Sequence, residues 1–382
     1  MSGEPNIHTY QSMKRLVQKL RDDLNSSDFV LLYAYNGTGK TRLSMAFKDA
    51  GKKQDNRDTL YFNAYTEDLF YWDNDLGGDS ARHLKINPDS RFLSGFKELA
   101  LEEKIFSYLE CHADFDFKID YENWKVVFSK EVENPKYRPG NQEPEKITQD
   151  NIKVSRGEEK IFIWCIFLAI CELAIDSTIS YEWVKYIYID DPISSLDDNN
   201  TIAVASDLAQ LLKKGKGRFK VVLSSHHGLF FNVMWNEVRS SGAKYKSYFY
   251  NRPNNSETYT LRSTEDVPFF HHVAMLSELQ YAAASGKLYT HHFNVLRNIL
   301  EKTATFFGFK DFSACICNVE DEALFTRALN LLSHGNYSFY EPKEMVDDNK
   351  ELFRNILSTF LAHYQFDLPK LFPEKQNQAN QL

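Results

Sequence analysis

Short apolar runs and amphipathic stretches alternate along the first two thirds of the chain. Short apolar runs bounded by turn residues predict strands that are buried on both faces. The stretches between them repeat apolar positions every three or four residues, which predicts helices. This alternation predicts an α/β domain over 1–263. The predicted strands are 29–33, 59–65, 184–192 and 218–227, with a hairpin of 246–253 and 256–263, and the predicted helices are 10–24, 41–50, 157–175 and 201–214.

From about residue 264 the strand pattern stops and helical periodicity continues alone. The clearest stretch is HHFNVLRNILEKTATFF, in which apolar positions recur every three or four residues from Phe293 to Leu300. Arg297 and Glu301 lie one helical turn apart on its polar side, as a surface ion pair or part of an active site would. We expect an α-helical domain over 264–382, with helices at about 265–285, 288–307, 320–333 and 346–364.

The stretch from about Glu67 to Asn151 has no clean period and many turn residues. Polar and aromatic residues are mixed in it without a helical or strand repeat. The pattern therefore assigns no regular element to this region.

The composition is that of a globular protein, with 43% hydrophobic and 26% charged residues. The net charge of −8 provides no global basic field, so a nucleic-acid partner would have to use a local patch. No apolar signal core or run of about 18 apolar residues occurs. We therefore expect a cytoplasmic protein that does not enter a membrane.

The five cysteines favour reduced thiols, because their number is odd and no CxxC spacing occurs. Cys165 and Cys171 lie in an apolar run. Cys315 and Cys317 fit either adjacent core thiols, which the zinc-ligand spacings favour, or half of a metal site.

The segment AYNGTGKT lies between a predicted strand and a predicted helix, as a phosphate-binding loop requires. Gly37 and Gly39 allow backbone N–H groups to surround phosphates, Lys40 adds positive charge, and Thr41 offers a hydroxyl to Mg²⁺. Ala34 stands where the usual pattern has its first glycine. The predicted nucleotide-binding residues of this loop are Asn36, Gly37, Thr38, Gly39, Lys40, Thr41 and Arg42.

A buried strand ends in two acids within YIYIDDPISSLDD. The carboxyl ends of strands in open α/β sheets are where ligands bind. Asp190 would belong to the Mg²⁺ shell, and Asp191 would orient or deprotonate the attacking water. The next strand ends at His226, which is the position of a histidine that contacts the γ-phosphate.

VSRGEEKI precedes the long apolar helix. Ser155 and Gly157 there would present a hydroxyl, N–H groups and a helix N-terminus to an anion. Alternatively, Ser155 and Glu158 form only a capping box.

These four elements, in this order, resemble the ABC-type ATPases. The resemblance implies that Ser155 and Gly157 of one protomer act on the nucleotide of another in a head-to-tail pair. It also implies that Asp197, in the SLD that follows the acid-tipped strand, belongs to the nucleotide site. In that class the second acid is usually glutamate, and Asp191 is shorter.

The segments YNGTGKTRLS, LYFNAYTEDLFYWDNDL, YIYIDDPISSLDD and NVLRNILEKTATFFGF, with LLSHG beyond, resemble the bacterial anticodon nucleases of the PrrC type. The resemblance implies an ABC ATPase that controls a C-terminal, metal-independent RNase. It implies cleavage of a tRNA, tRNA-Lys, in its anticodon loop by Arg297, Glu301 and His334. It also implies Mg-GTP or Mg-ATP as the nucleotide, dTTP as a stabilising ligand, and an inhibitory restriction-modification complex as a partner in antiphage defence.

An alternative hypothesis is an ABC ATPase that regulates or scaffolds a DNA-associated partner and carries a non-catalytic helical tail. The bulk features of the chain do not separate the two hypotheses. Lys287, Arg297 and Lys302 are basic residues that would meet RNA phosphates in the first of them.

Overall fold

The computed structural model describes residues 7–52, 57–63, 70–74, 82–87, 101–140, 142–176, 181–192, 198–252, 258–264, 270–316, 344–364 and 366. Contacts divide the chain into one unit of Tyr10–Tyr259 and another formed by Met1–Thr9 with Thr260–Leu382. We call them the first and the second unit.

A parallel sheet of five strands forms the centre of the first unit, in the order β11-β2-β10-β9-β3. Its strands are short and almost wholly buried, as the apolar runs predicted. The register pairs Asn63 with Asp190 and Ser224 with Asp190. The carboxyl ends of these strands therefore meet at one edge. The strands are β2 (Phe29–Tyr33), β3 (Thr59–Asn63), β9 (Tyr186–Asp190), β10 (Lys220–Ser225) and β11 (Tyr245–Asn251).

Helices connect these strands, and the predicted ones are confirmed with shifts of a few residues at their ends. The first helix begins at the N-cap Ser12, whose side chain accepts a hydrogen bond from the backbone N–H of Arg15. The helices of the first unit are α1 (Met13–Ser26), α2 (Lys40–Ala50), α3 (Glu102–Leu109), α4 (Arg156–Ile175), α5 (Asp198–Lys214) and α6 (Gly228–Ser240).

A second, antiparallel sheet occupies the region in which the sequence pattern assigned no regular element. Its nine-residue strand β7 pairs with three other strands. Alternation is visible in β7 itself, since Val126 and Phe128 are buried and their neighbours are more exposed. The strands are β4 (Phe70–Asn74), β5 (Arg82–Ile86), β6 (Asp116–Asp120), β7 (Lys125–Glu133) and β8 (Lys146–Asp150).

The long helix α4 lies between the two sheets. Phe167 contacts Phe62 of the parallel sheet with ring centroids 4.3 Å apart, and Phe162 contacts Phe128 of the antiparallel sheet at 5.1 Å. A helix covered on both sides needs apolar residues all round. This explains why the predicted helix had no polar face.

The described residues of the second unit include two strands and a small helical core. Strands β1 (Ile7–Tyr10) and β12 (Tyr259–Ser263) are neighbours in a sheet. The core includes Phe293, Leu296 and Leu300, which the periodicity predicted to be buried. Its helices are α7 (Phe270–Ser285), α8 (His291–Phe307), a 3-10 helix (Phe312–Ile316) and α9 (Asp347–His363).

Several sequence predictions concern features that the structure describes only in part. The predicted helix 320–333 and Cys317 lie outside the described residues. Cys165, Cys171 and Cys315 are buried cysteines outside any disulfide bond, and the thiol of Cys315 contacts the carbonyl oxygen of Leu300. In the part of the chain that the structure describes, no helix is long and apolar enough to cross a membrane.

The buried position of His292 predicts that the stability of the second unit depends on pH. Its imidazole is buried, and its Nδ1 accepts a hydrogen bond from the backbone N–H of Tyr289 at 3.0 Å. Burial, with the neighbouring His291, lowers the pKa of His292 to about 3. Burial also lowers the pKa of His291. In the unfolded chain a histidine titrates near pH 6.5, so acid protonates the unfolded state first.

We expect wild-type stability to fall as the pH drops below about 6.5, and His292→Gln to fall less, because the amide cannot take up that proton. Thermal unfolding at about pH 7.5 and about pH 5.5 measures the difference. His363→Gln, at an exposed site on α9, is the control and should behave as wild type. Equal losses in His292→Gln and wild type would contradict the assignment to His292.

Candidate functional site

The loop between β2 and α2 has the backbone form of a phosphate-binding loop. Gly37 and Gly39 have φ angles of 81° and 93°, which residues other than glycine rarely adopt. Space is open where a Cβ of Gly37 would lie. No side chain caps the N-terminus of α2, so its first N–H groups are available to an anion.

Lys40 holds the loop together. Its Nζ donates to the carbonyl oxygens of Ala34 at 3.2 Å and Tyr35 at 3.1 Å, and to Oδ1 of Asn36 at 3.4 Å. It also lies 3.3 Å from a carboxylate oxygen of Asp191. The ammonium group thus lies between the glycine-rich loop and the acid-tipped strand, where it can neutralise phosphate charge.

The side chains of the remaining predicted loop residues have different environments. Thr38 donates its hydroxyl to the carbonyl oxygen of Tyr35 at 2.8 Å, and its own carbonyl oxygen accepts from the hydroxyl of Tyr250 at 3.1 Å. The side chain of Thr41 hydrogen-bonds with Asp190. Arg42 is exposed on α2.

Asp190 is only 2% exposed at the end of β9. Its carboxylate accepts hydrogen bonds from the hydroxyls of Ser224 at 2.6 Å and Ser44 at 3.1 Å. Burial, with the neighbouring charge of Asp191, raises the pKa of Asp190 above its usual range. Removal from water disfavours the ionised carboxylate, and a divalent cation would reverse this preference.

Asp191 has a left-handed backbone with φ of 52°. This conformation is uncommon outside glycine, although Asp tolerates it better than most residues. His226 fixes it, because its backbone N–H donates to Oδ1 at 3.0 Å and its Nδ1 lies 2.6 Å from the same carboxylate. Burial opposes ionisation, but His226 and the charge of Lys40 hold the pKa of Asp191 below its usual range.

The two neighbouring carboxylates therefore have different environments. Asp190 has hydroxyl donors and a raised pKa, whereas Asp191 is paired with Lys40 and His226 and has a lowered pKa. Carboxylate and hydroxyl oxygens are the ligands that Mg²⁺ prefers, and Asp190 and Thr41 provide them. The residues present fit a Mg-nucleotide, with Lys40 and the helix terminus at the phosphates and Asp191 and His226 beside them.

Sequence reasoning missed the polar residues that support Asp190. The hydroxyl of Ser44 also hydrogen-bonds with the hydroxyl of Tyr61 at 2.8 Å, which in turn accepts from Nδ2 of Asn63 at 2.9 Å. Ser44 lies one helical turn after Lys40, which would have been a usable signal. The role of Tyr61 depends on the pairing of β3 with β9, which no local pattern specifies.

The predicted signature residues lie at the start of α4. Ser155 is its N-cap and forms a complete capping box with Glu158, with N–O distances of 3.3 and 2.7 Å. The capping alternative is therefore confirmed as the local role of Ser155. Gly157 has open space where a Cβ would lie. Asp197 lies outside the described residues.

On α8 the structure brings Arg297 and Glu301 together. Nε of Arg297 donates to Oε1 of Glu301 at 2.7 Å. The guanidinium carbon lies 5.2 Å from the ring centroid of Phe312, so the cation packs over an aromatic face. The side chains are 18% and 47% exposed, which leaves the carboxylate more open to solvent than its partner. His334 lies outside the described residues.

The sequence analysis did not predict a role for Phe312. It lies in the 3-10 helix, which has no amphipathic period to reveal it. Its buried ring packs against the guanidinium of Arg297.

Comparison with known proteins shows the family to which the chain belongs. The family described as "AAA domain" matches residues 132–362. The described part of the chain thus carries an AAA-type ATPase domain built on a mixed α/β fold. A protein named "Anticodon nuclease" from Escherichia coli is 32% identical over 379 residues, which cover 87% of this chain and 88% of the relative. The chain belongs to the anticodon nuclease family, as its sequence motifs predicted.

Asp191→Asn should lower nucleotide hydrolysis by about 10²–10⁴-fold. The amide keeps the shape but cannot pair with Lys40 or accept a proton. Nucleotide binding should persist, because Lys40 and the loop are unchanged. Steady-state phosphate release and titration with a fluorescent GTP analogue measure the two quantities.

Asp28→Asn is the matched control. It removes a carboxylate whose Oδ1 lies 2.9 Å from Lys220 just before β2, at the opposite edge of the sheet. Its hydrolysis rate should remain near that of wild type. Unchanged hydrolysis in Asp191→Asn would contradict a catalytic role for that carboxylate.

Proposed function

We propose that this chain is a nucleotide-gated, metal-independent endoribonuclease that cleaves tRNA in the anticodon loop. The observation that carries the proposal is the Arg297–Glu301 pair on α8 of a chain that is 32% identical to an anticodon nuclease. An exposed ion pair contributes little to stability, so stability alone does not explain this pair. The similarity of the chain to an anticodon nuclease is the reason to assign the pair a catalytic role.

Cleavage needs no group beyond the RNA itself and three side chains. The 2′-hydroxyl attacks the adjacent phosphorus, a new O2′–P bond forms, and the P–O5′ bond breaks. The products are a 2′,3′-cyclic phosphate and a 5′-hydroxyl. One proton leaves the 2′-oxygen and another reaches the departing 5′-oxygen.

The side chains divide these tasks. Glu301 and His334 transfer the two protons, each contributing about 10²–10⁴-fold. Arg297 stabilises the charge that develops on the phosphate oxygens, because its planar group suits them. Phe312 supports this role by packing against the guanidinium.

The ATPase unit controls the nuclease as an ABC-type switch. Mg-GTP or Mg-ATP supplies the phosphates whose hydrolysis ends the active state, and dTTP is a stabilising ligand. Lys40, Thr41 and Asp190 bind the Mg-nucleotide, and Asp191 and His226 act on the attacking water. Their convergence at one sheet edge supports this assignment.

A head-to-tail pair of chains completes each nucleotide site. Ser155, Gly157 and Asp197 of one protomer contribute to the nucleotide of the other. Two observations support this role. The N-terminus of α4 is exposed at Ser155, and nothing lies within 4 Å of the position of a Cβ on Gly157.

The biological role is antiphage defence in the cytoplasm. A restriction-modification complex keeps the nuclease silent, and tRNA-Lys is the substrate when the complex fails. The similarity to the Escherichia coli anticodon nuclease supports this proposal.

Glu301→Gln and His334→Ala should each abolish tRNA cleavage and leave nucleotide hydrolysis near the wild-type rate. The first change keeps the hydrogen bond with Arg297 but removes the carboxylate that transfers a proton. Gel analysis of tRNA-Lys incubated with purified protein and GTP measures cleavage, and phosphate release measures hydrolysis.

Glu344→Gln is the matched control, since it removes one exposed carboxylate of the ion pair with Lys350, 2.6 Å away in the same unit. It should cleave as wild type does. Persistent tRNA cleavage in His334→Ala would refute its catalytic role, and loss of cleavage in Glu344→Gln would show that the assay reports stability.

A further inference from the structure

A cavity of about 480 Å³ lies between α7, α8 and the end of α9, within the second unit. Its volume is within the range of small-molecule sites. Aliphatic side chains form its floor, and four aromatic residues form much of its wall. The aromatic residues are Phe306, Phe307, Tyr364 and Phe366.

The aromatic wall extends into solvent at its mouth. Phe306 is 84% exposed and Phe307 is 51% exposed. The rings of Phe307 and Tyr364 contact each other, with centroids 5.3 Å apart. Exposed aromatic side chains grouped around a cavity mark a binding surface more often than single exposed residues do.

The polar groups at this cavity favour an anionic partner. The ammonium group of Lys302 and the imidazole of His363 line it, and none of the described residues that line it is Asp or Glu. This contrasts with a net charge of −8 for the whole chain. An apolar protein segment would use the aromatic wall but would have no need of the ammonium group of Lys302.

The cavity shares α8 with the Arg297–Glu301 pair. At about 100° per residue, Lys302 lies roughly 140° and Phe306 roughly 180° around the helix from Arg297. The exposed residues Asn298, Lys302 and Thr305 occupy the helix surface between them. A polar strip therefore joins the pair to the cavity.

From these observations we infer that the cavity binds an unpaired nucleobase of the RNA substrate. The base packs against the aromatic wall, its neighbouring phosphates meet Lys302 and His363, and the backbone follows the polar strip to Arg297 and Glu301. Aromatic stacking and a basic rim are how proteins hold single-stranded RNA.

This inference rests on the proposed function and specifies how the RNA is held. Arg297 and Phe306 are about 14 Å apart along the helix axis, from a rise of 1.5 Å per residue. The base in the cavity is therefore not the one beside the cleaved phosphate. It comes from further along the anticodon loop. The cavity therefore recognises a base at a distance from the cleaved bond and does not contact that bond.

The test uses the full chain and a stem–loop RNA with the sequence of the tRNA-Lys anticodon arm. The loop riboses are 2′-deoxy, so that no 2′-hydroxyl can attack, and 2-aminopurine replaces each loop base in turn. Stacking quenches its fluorescence. Wild type should quench strongly at one or two loop positions.

Phe306→Ala should lose that quenching and weaken RNA binding by about 5- to 150-fold, the loss expected for one stacked base. Phe306→Trp should restore both. Lys302→Gln should quench at the same loop position as wild type. The slope of log binding constant against log salt concentration should fall by about 1, as expected for the loss of one phosphate contact. Tyr281→Ala, which removes an exposed aromatic residue of α7 outside the cavity lining, should match wild type.

Quenching that is the same in Phe306→Ala and wild type would overturn the inference, as would failure of wild type to bind the RNA. If instead Phe306→Ala altered only the sedimentation of the RNA-free protein, the cavity would be an interface between copies of the chain, and the inference would also be overturned.

Parallel incubation with all-ribose tRNA separates this inference from the proposed function. If wild type cleaves the tRNA but quenching does not depend on Phe306, only the cavity assignment fails. If quenching depends on Phe306 but no tRNA is cut, the proposed function fails and the cavity remains a binding site for unpaired bases.

Discussion

Two adjacent carboxylates at the end of β9, of which Asp190 is buried and Asp191 is half-buried, impose the constraint on which the nucleotide site depends. Removing two like charges from water is costly unless hydrogen bonds and cations compensate. Asp190 is satisfied by hydroxyl groups, and Asp191 by Lys40 and His226. These partners come from the end of β10 and from α2, so they meet the carboxylates only if the parallel register of β9 and β10 is correct. Stability and function therefore constrain the same edge of the sheet.

The left-handed backbone of Asp191 belongs to the same constraint. A residue held at φ of 52° persists only where its surroundings over-determine it, and such residues cluster at functional sites. Both the backbone N–H and the ring Nδ1 of His226 contact the carboxylate. A bound phosphate that moved Lys40 would change the charge beside Asp191. This contact would be a physical basis for the proposed nucleotide-dependent switch.

Sequence pattern predicted the elements that carry a local signal, and missed those that depend on distant pairing. The parallel strands were predictable because they are continuous apolar runs, and α8 because its apolar residues recur every three or four positions. The antiparallel sheet was not, because β7 has three partners and every residue of β8 is exposed. Asp190 and Lys40 could be predicted because they lie in local sequence motifs. The contacts of Tyr61 and Phe312 could not, because they form only in the folded structure.

The central claim is that a nucleotide switch and an RNase active site reside in one chain. Mapping the 5′-hydroxyl ends of all RNA from cells that express it, without its neighbouring genes, tests this claim most directly. New ends confined to tRNA anticodon loops, and absent when Lys40 is replaced by Ala, are expected. Uniformly intact tRNAs, or breaks scattered over all RNA, would contradict a gated anticodon nuclease and favour an ATPase with a non-catalytic helical tail.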